Sequence, residues 1–174
     1  MSLPWAAVSI VVRPLENADL PALVGLNNGA VPAVPPTDRG ELAELTVLGS
    51  LALVAEQVPG APLGFLIAMD PGADYASENY RWFSGRGDSF VYVDRIVVAP
   101  EARGTGIGRA LYDAVFARAR EHGFAEVDCE VNVRPANPES LAFHARLGFE
   151  QLDEQETKGG AYRVALLAAP VQHE

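Results

Sequence analysis

The sequence predicts a single α/β domain built on a mixed, mostly antiparallel sheet of six to seven strands with about four helices. Three observations predict it. Val91–Leu111 reads as a buried strand, a tight glycine turn and the start of a helix. Ala125–Val133 follows as another strand, which a helical crossover places parallel to the first. Hairpin patterns flank this unit on both sides, in Ser50–Met69 and in Phe149–Leu167. A chain of 174 residues with 49% hydrophobic content is long and apolar enough for one sizeable core.

In chain order, Val8–Arg13 is the first strand, stopped by Pro14. Asn17 or Asp19 caps a helix that carries Leu20, Leu23, Val24 and Leu26 on one face. Ala30–Thr37 contains Pro32, Pro35 and Pro36 and must be irregular. Asp38 caps a second helix through Glu41, Leu42, Leu45 and Leu48, closed by Gly49. Ser50–Gln57 and Leu63–Met69 are antiparallel strands around Val58-Pro59-Gly60-Ala61-Pro62. Asp70–Ser89 is too long and glycine-rich for a plain connection and reads as a functional loop. Within it Phe83 pins the loop to the core, and Tyr75, Tyr80 and Trp82 either pin it too or wall a substrate pocket.

The central unit carries the chemistry. Tyr92, Val93, Ile96, Val97 and Val98 are β-formers, and Pro100 ends their strand for want of an N–H. Arg103-Gly104-Thr105-Gly106-Ile107-Gly108 then curls into a helix with Ile107, Leu111, Ala114, Val115 and Ala119 on one stripe. The first amides of a helix lack internal partners and carry the positive end of its dipole, so this turn is an anion site suited to a diphosphate. It is not a Walker loop, because Gly108 is followed by Arg109-Ala110 instead of Lys and Ser/Thr. It is not the dinucleotide fingerprint, because the sixth place from Gly104 is Arg109.

Downstream, Gly123 ends that helix and Ala125–Val133 alternates as a strand. Asn137-Pro138-Glu139-Ser140 is a helix start, with an Asn cap and proline in the first turn. Leu141, Ala142, Ala145 and Leu147 form its apolar face, and Gly148 ends it. Phe149–Glu156 and Ala161–Leu167 close the fold as a hairpin around Thr157-Lys158-Gly159-Gly160.

Composition excludes several function classes. A net charge of −10 argues against a nucleic-acid partner. Cys129 is the only cysteine, so no intrachain disulfide forms, which suits a reducing compartment. No signal-peptide pattern opens the sequence and no apolar run approaches a membrane span; a cytoplasmic protein with no membrane partner is expected. No His/Cys/Asp cluster has metal-ligand spacing, so no metal is expected.

Val98-Ala-Pro followed by Arg103-x-x-Gly-x-Gly108, and Asn137-x-x-Ser140 followed by Leu147-Gly-Phe149, together resemble the two signatures of the GNAT superfamily of N-acetyltransferases. Specific residues are shared over Val91–Phe149, and the architecture is similar from about Ile10 to Leu167. The resemblance implies one N-acetyltransferase domain (core about 8–168) whose fourth and fifth strands splay apart. It implies acetyl-CoA as cofactor, its pantetheine arm against the backbone of Ile96, Val97 and Val98 as an added strand. A freed N–H there would polarise the thioester carbonyl. Arg103, Gly104, Thr105, Gly106, Ile107, Gly108 and Arg109 would cradle the diphosphate, with Asn137 and Ser140 beside the cofactor. A primary amine of a small molecule or peptide would attack the thioester directly in a ternary complex, with no covalent acyl-enzyme.

One position departs from the pattern: the family's usual acid, a tyrosine seven residues after the Asn, is His144 here. As imidazolium it would protonate the departing thiolate; neutral, it would hydrogen-bond the sulfur. For the base, Glu130 and Asp94 are the candidates. Period-two alternation puts Asp94 and Tyr92 on one strand face with Ile96 and Val98, and Glu130 with Asn132 on one face of the next, Cys129 facing the core. Asn132, Tyr75, Tyr80 and Trp82 are the candidate acceptor contacts. The alternative reading is a non-catalytic, effector-sensing acyl-CoA-binding protein of the same fold. The identity of the amine and the choice between monomer and homodimer are not fixed by the sequence.

Overall fold

The computed structural model describes residues 8–173. Seven strands form one sheet in the order β1-β2-β3-β4-β5-β7-β6. They are β1 (Val11–Pro14), β2 (Leu51–Glu56), β3 (Pro62–Met69), β4 (Phe90–Val98), β5 (Glu126–Arg134), β6 (Glu150–Thr157) and β7 (Tyr162–Pro170). Every neighbouring pair is antiparallel except β4 and β5, which run parallel. The helices are α1 (Leu20–Gly29), α2 (Arg39–Leu48), α3 (Glu78–Ser84), α4 (Ile107–Glu121) and α5 (Pro138–Arg146).

Local chemistry explains the helix starts. Asp38 accepts the Glu41 amide at 2.9 Å while Glu41 returns a bond to the Asp38 amide at 3.1 Å, a reciprocal cap for α2. Asn137 accepts the Ser140 amide at 3.3 Å, and Pro138 fills the first turn of α5.

The sheet separates two apolar layers. On one side α4 packs against Leu53, Leu66, Val91, Val93, Val127 and Cys129 through Ile107, Leu111, Tyr112 and Val115, joined by Leu141 and Phe143 of α5 and by Phe149 just beyond it. On the other, α1 and α2 cover Val54, Phe65, Ile67 and Val97, and α3 covers Met69, Tyr92, Val164 and Leu166.

Two expectations change. The stretch 70–89 is not a bare loop: it holds α3, whose N-cap is Ser77 accepting the Tyr80 amide, and the helix count is five. Period-two alternation also fails across β4. Ile67 faces Arg95 and Ala68 faces Val93, so Asp94 is the extra residue of a bulge. Val93 and Ile96 therefore share the α4 face, and Tyr92, Arg95 and Val97 the opposite one, so Tyr92 does not share a face with Ile96 and Val98.

Candidate active site

β4 and β5 pair only from Phe90–Tyr92 to Glu126–Asp128. Beyond that β4 stays with β3 while β5 stays with β7, so the strands part and the β5-facing edge of β4 has no strand partner. A cleft of about 720 Å³ opens there. Its walls include Gly104, Gly106, Phe143 and His144 on the α4–α5 side, and Pro32, Val34, Asn79 and Tyr162 toward the other. It passes through the plane of the sheet.

The α4 end is built for an anion. Gly104 and Gly106 have φ of +76° and +93°, values that disfavour any residue with a Cβ. A Cβ at Gly104 would meet nothing within 4 Å, so the cradle is open. The first backbone bond of α4 runs from the Ala110 amide to Gly106 O at 2.9 Å, leaving the amides of Ile107, Gly108 and Arg109 without helical partners. The exposed Arg103 and Arg109 and the nearby Arg146 add positive charge to the wall. Gly108 has another reason to be glycine: its Cβ would lie 2.9 Å from the Phe143 ring, so it sets the approach of α4 to α5. The residues present fit a diphosphate-bearing cofactor such as acetyl-CoA.

Among the carboxylates, Glu130 stands in the cleft wall with Oε2 accepting the Tyr92 hydroxyl at 2.7 Å. Burial, reinforced by the negative charge of Asp94, pushes its carboxyl up to about 8, against hydrogen bonds from Tyr92 and Asn79. Asp94 also borders the cleft, but its carboxylate is held by Arg95 Nε at 2.8 Å and by the Tyr75 hydroxyl, and its side chain is 6% exposed.

His144 is only 2% exposed. Its Nδ1 lies 2.8 Å from the Ser140 carbonyl, which can only accept, so Nδ1 carries the proton. Nε2 then accepts from the Tyr112 hydroxyl at 2.8 Å. Burial depresses its pKa below the ordinary imidazole value. Both nitrogens have partners inside the fold, so an acid role for His144 requires the Tyr112 bond to open first.

Other expected contacts are placed differently. Asn137 spends Oδ1 on the α5 cap, leaving Nδ2 as its donor on the cleft wall. Ser140 also borders the cleft, its carbonyl engaged by His144. Asn132 borders it too, but its Nδ2 donates to Pro32 O at 2.8 Å, drawing the α1–α2 connection across the mouth. Tyr80 does not wall the pocket: it is 3% exposed, its hydroxyl donating to Asp70 O and accepting from the Ala73 amide. Trp82 packs edge-on to Phe83 beneath Arg86, away from the cleft walls. Tyr75 reaches the site only through Asp94. Cys129 is in the core as expected, at 2% exposure. The sequence reading missed Asn79, Lys158 and Tyr162, which all border the cleft. Asn79 lies in the unrecognised α3; the turn residues carried no motif.

A sheet opened between two parallel strands, with an anion cradle at one end and a buried carboxyl in its wall, has the layout of an acyl-transfer site. The chain belongs to the acetyltransferase (GNAT) family, which it matches over residues 33–149, and it is an N-acetyltransferase. It is 33% identical over 150 residues to glucosamine 6-phosphate N-acetyltransferase 1 of Oryza sativa subsp. japonica, covering 83% of each chain. It is 30% identical over 156 residues to phosphinothricin N-acetyltransferase of Alcaligenes faecalis, covering 84% of this chain and 73% of that one. An acetyltransferase from Salmonella typhimurium, solved with acetyl-CoA, shares the fold at a TM-score of 0.71 and 20% identity over 95% of this chain and 96% of its own. Among the described residues no helix is long and apolar enough to cross a membrane.

Proposed function

We propose that this enzyme acetylates a primary amine of a small molecule or peptide, using acetyl-CoA, by direct attack in a ternary complex. When bound, acetyl-CoA supplies an acyl group on sulfur that an amine can displace without an enzyme-bound intermediate. The unpartnered amides of Ile107, Gly108 and Arg109, with Arg103 and Arg109, hold the diphosphate. The free edge of β4 at Ile96–Val98 offers backbone groups to an extended arm and an N–H to the carbonyl oxygen. The amine comes from the opposite side of the sheet, past the α1–α2 connection and α3. Glu130 takes a proton from its nitrogen as the C–N bond forms. Both sequence relatives are named for small molecules, which favours a small-molecule acceptor over a protein.

The observation that carries this reading is Glu130, the cleft carboxyl pushed up to about 8 and held in place by Tyr92. A base works only when deprotonated, so turnover is expected to rise with pH through about 8. Glu130→Gln keeps the shape and removes the base; kcat should fall about 100-fold and lose that pH dependence. Acetyl-CoA affinity, read from thermal shift, should hold. Thiol release over an amine panel makes the measurement. Undiminished turnover in Glu130→Gln would remove Glu130 from the chemistry, and no thiol release with any amine would leave an acyl-CoA-sensing protein.

A further inference from the structure

The β6–β7 turn carries a cation that the mechanism above does not use. Lys158, the chain's only lysine, borders the cleft together with Tyr162. Among the described residues it is the only non-glycine residue with positive φ, at +51°. Gly159 and Gly160 follow with φ of +66° and +91°. The turn thus uses glycine at its next two positions and retains a strained lysine at the first. Backbone strain of this kind persists where the surrounding structure or a function demands it.

The lysine is also held in position. Its amide donates to Glu78 Oε2 at 3.1 Å, in the first turn of α3. One residue on, Asn79 accepts Gln155 Nε2 at 3.0 Å, so β6 and α3 are fastened at two points. Lys158 Nζ lies 4.6 Å from the centre of the Tyr162 ring, a cation–π contact between two residues of the cleft wall. Among the described residues no carboxylate lies within 4.0 Å of Nζ. Arg134 at the end of β5 and Arg163 in β7 are both paired with Glu156. Arg95, in the cleft wall, is paired with Asp94.

We propose that Lys158 sets acceptor specificity by receiving an anionic group carried by the amine, a carboxylate, phosphate or phosphonate. The acceptor class is then a small amine with an anionic tail, and polyamines are disfavoured because their second ammonium would meet Lys158. This rests on the transferase reading above.

The experiment measures thiol release from acetyl-CoA with ω-amino acids of two to four carbons and with 2-aminoethylphosphonate, against the matching amides and diamines. The wild-type enzyme should favour the anionic amines over the amides by about tenfold in kcat/KM, the scale of one well-placed charge pair. The better of the carboxylate and phosphonate arms identifies the anion. Lys158→Glu should invert the preference. Lys158→Gly should bring it near unity while holding or raising Tm, because glycine relieves the positive φ. A purely structural turn residue would change Tm and leave the ratio alone. Diamines or amides preferred by the wild type, or a ratio unmoved in Lys158→Glu, would overturn this proposal by itself. No thiol release with any amine would overturn the transferase reading and this proposal with it.

Discussion

Gly104, Gly106 and Gly108 stand two residues apart and meet different physical demands. The first two adopt left-handed backbone at an open cradle, and the third clears the ring of Phe143. The motif was legible in the sequence, but the reason for its last glycine depends on a residue 35 positions away in α5, which spacing alone cannot reveal. His144 shows the same limit. Its place in the motif was readable, but Tyr112, which engages Nε2, lies in another helix and carries no motif. Replacing His144 with Phe removes both imidazole bonds and strands the buried Tyr112 hydroxyl. The expected cost is about 1–3 kcal/mol of stability, the usual penalty for an orphaned buried donor. Adding Tyr112→Phe should recover part of that loss, because both partners are then gone. Urea unfolding of the two variants checks it. Wild-type stability in His144→Phe with sharply reduced turnover would favour the acid role.

At the scale of elements, the strands and the parallel β4–β5 pair were legible from hydrophobic runs and from the helical crossover between them, both local properties. The bulge at Asp94 did not, because it is defined by β3 across the ladder: Ile67 and Ala68 leave one β4 residue without an opposite. Helix α3 escaped notice because seven residues offer barely two turns of periodicity between glycine-rich flanks. The seating of α4 was also invisible, since it depends on Gly64 in β3. A Cβ there would lie 2.9 Å from Ile107 Cγ2 and 2.9 Å from the Val97 carbonyl oxygen. Ile107 is 1% exposed and has little room to turn aside, and the Val97 backbone belongs to a central strand that holds its place, so α4 is the part that must move. Gly64→Ala should therefore lift the first turn of α4 and cost about 1–3 kcal/mol, as overpacking does. Since that turn carries the anion cradle, acetyl-CoA protection against heat should weaken as well. A variant with wild-type Tm and undiminished protection would show that α4 is not seated through this contact.

For the whole molecule, buried acids set how stability responds to pH. Asp19 and Glu56 are held below the ordinary carboxyl range, in each case chiefly by hydrogen bonds from Arg13. Their contribution is present above the unfolded value and is lost as pH falls through the folded one. Asp128 has the opposite sign. It lies in β5 with 0% exposure, and neither carboxyl oxygen has a hydrogen-bond partner among the described residues. Burial, then the charge of Glu126, raises it to about 8, with Arg86 opposing. Glu130 is raised to about 8 as well. Both hold a proton in the folded state that the unfolded chain releases near pH 4. The associated stability is full below about pH 4 and is lost as pH climbs through about 8, by at most about 1.4 kcal/mol per pH unit for each group. The acidic chain, at −10, adds self-repulsion in the same direction. Tm should therefore peak near pH 5–6, roughly where the two sets of acids balance, and decline toward pH 9. Asp128→Asn cannot ionise and should flatten that decline, whatever its absolute Tm, because an amide carries no charge to be buried. Thermal unfolding of both proteins from pH 4 to 9 measures the slopes. Parallel curves above pH 6 would mean that Asp128 is not protonated in the fold and that its burial is compensated by another route.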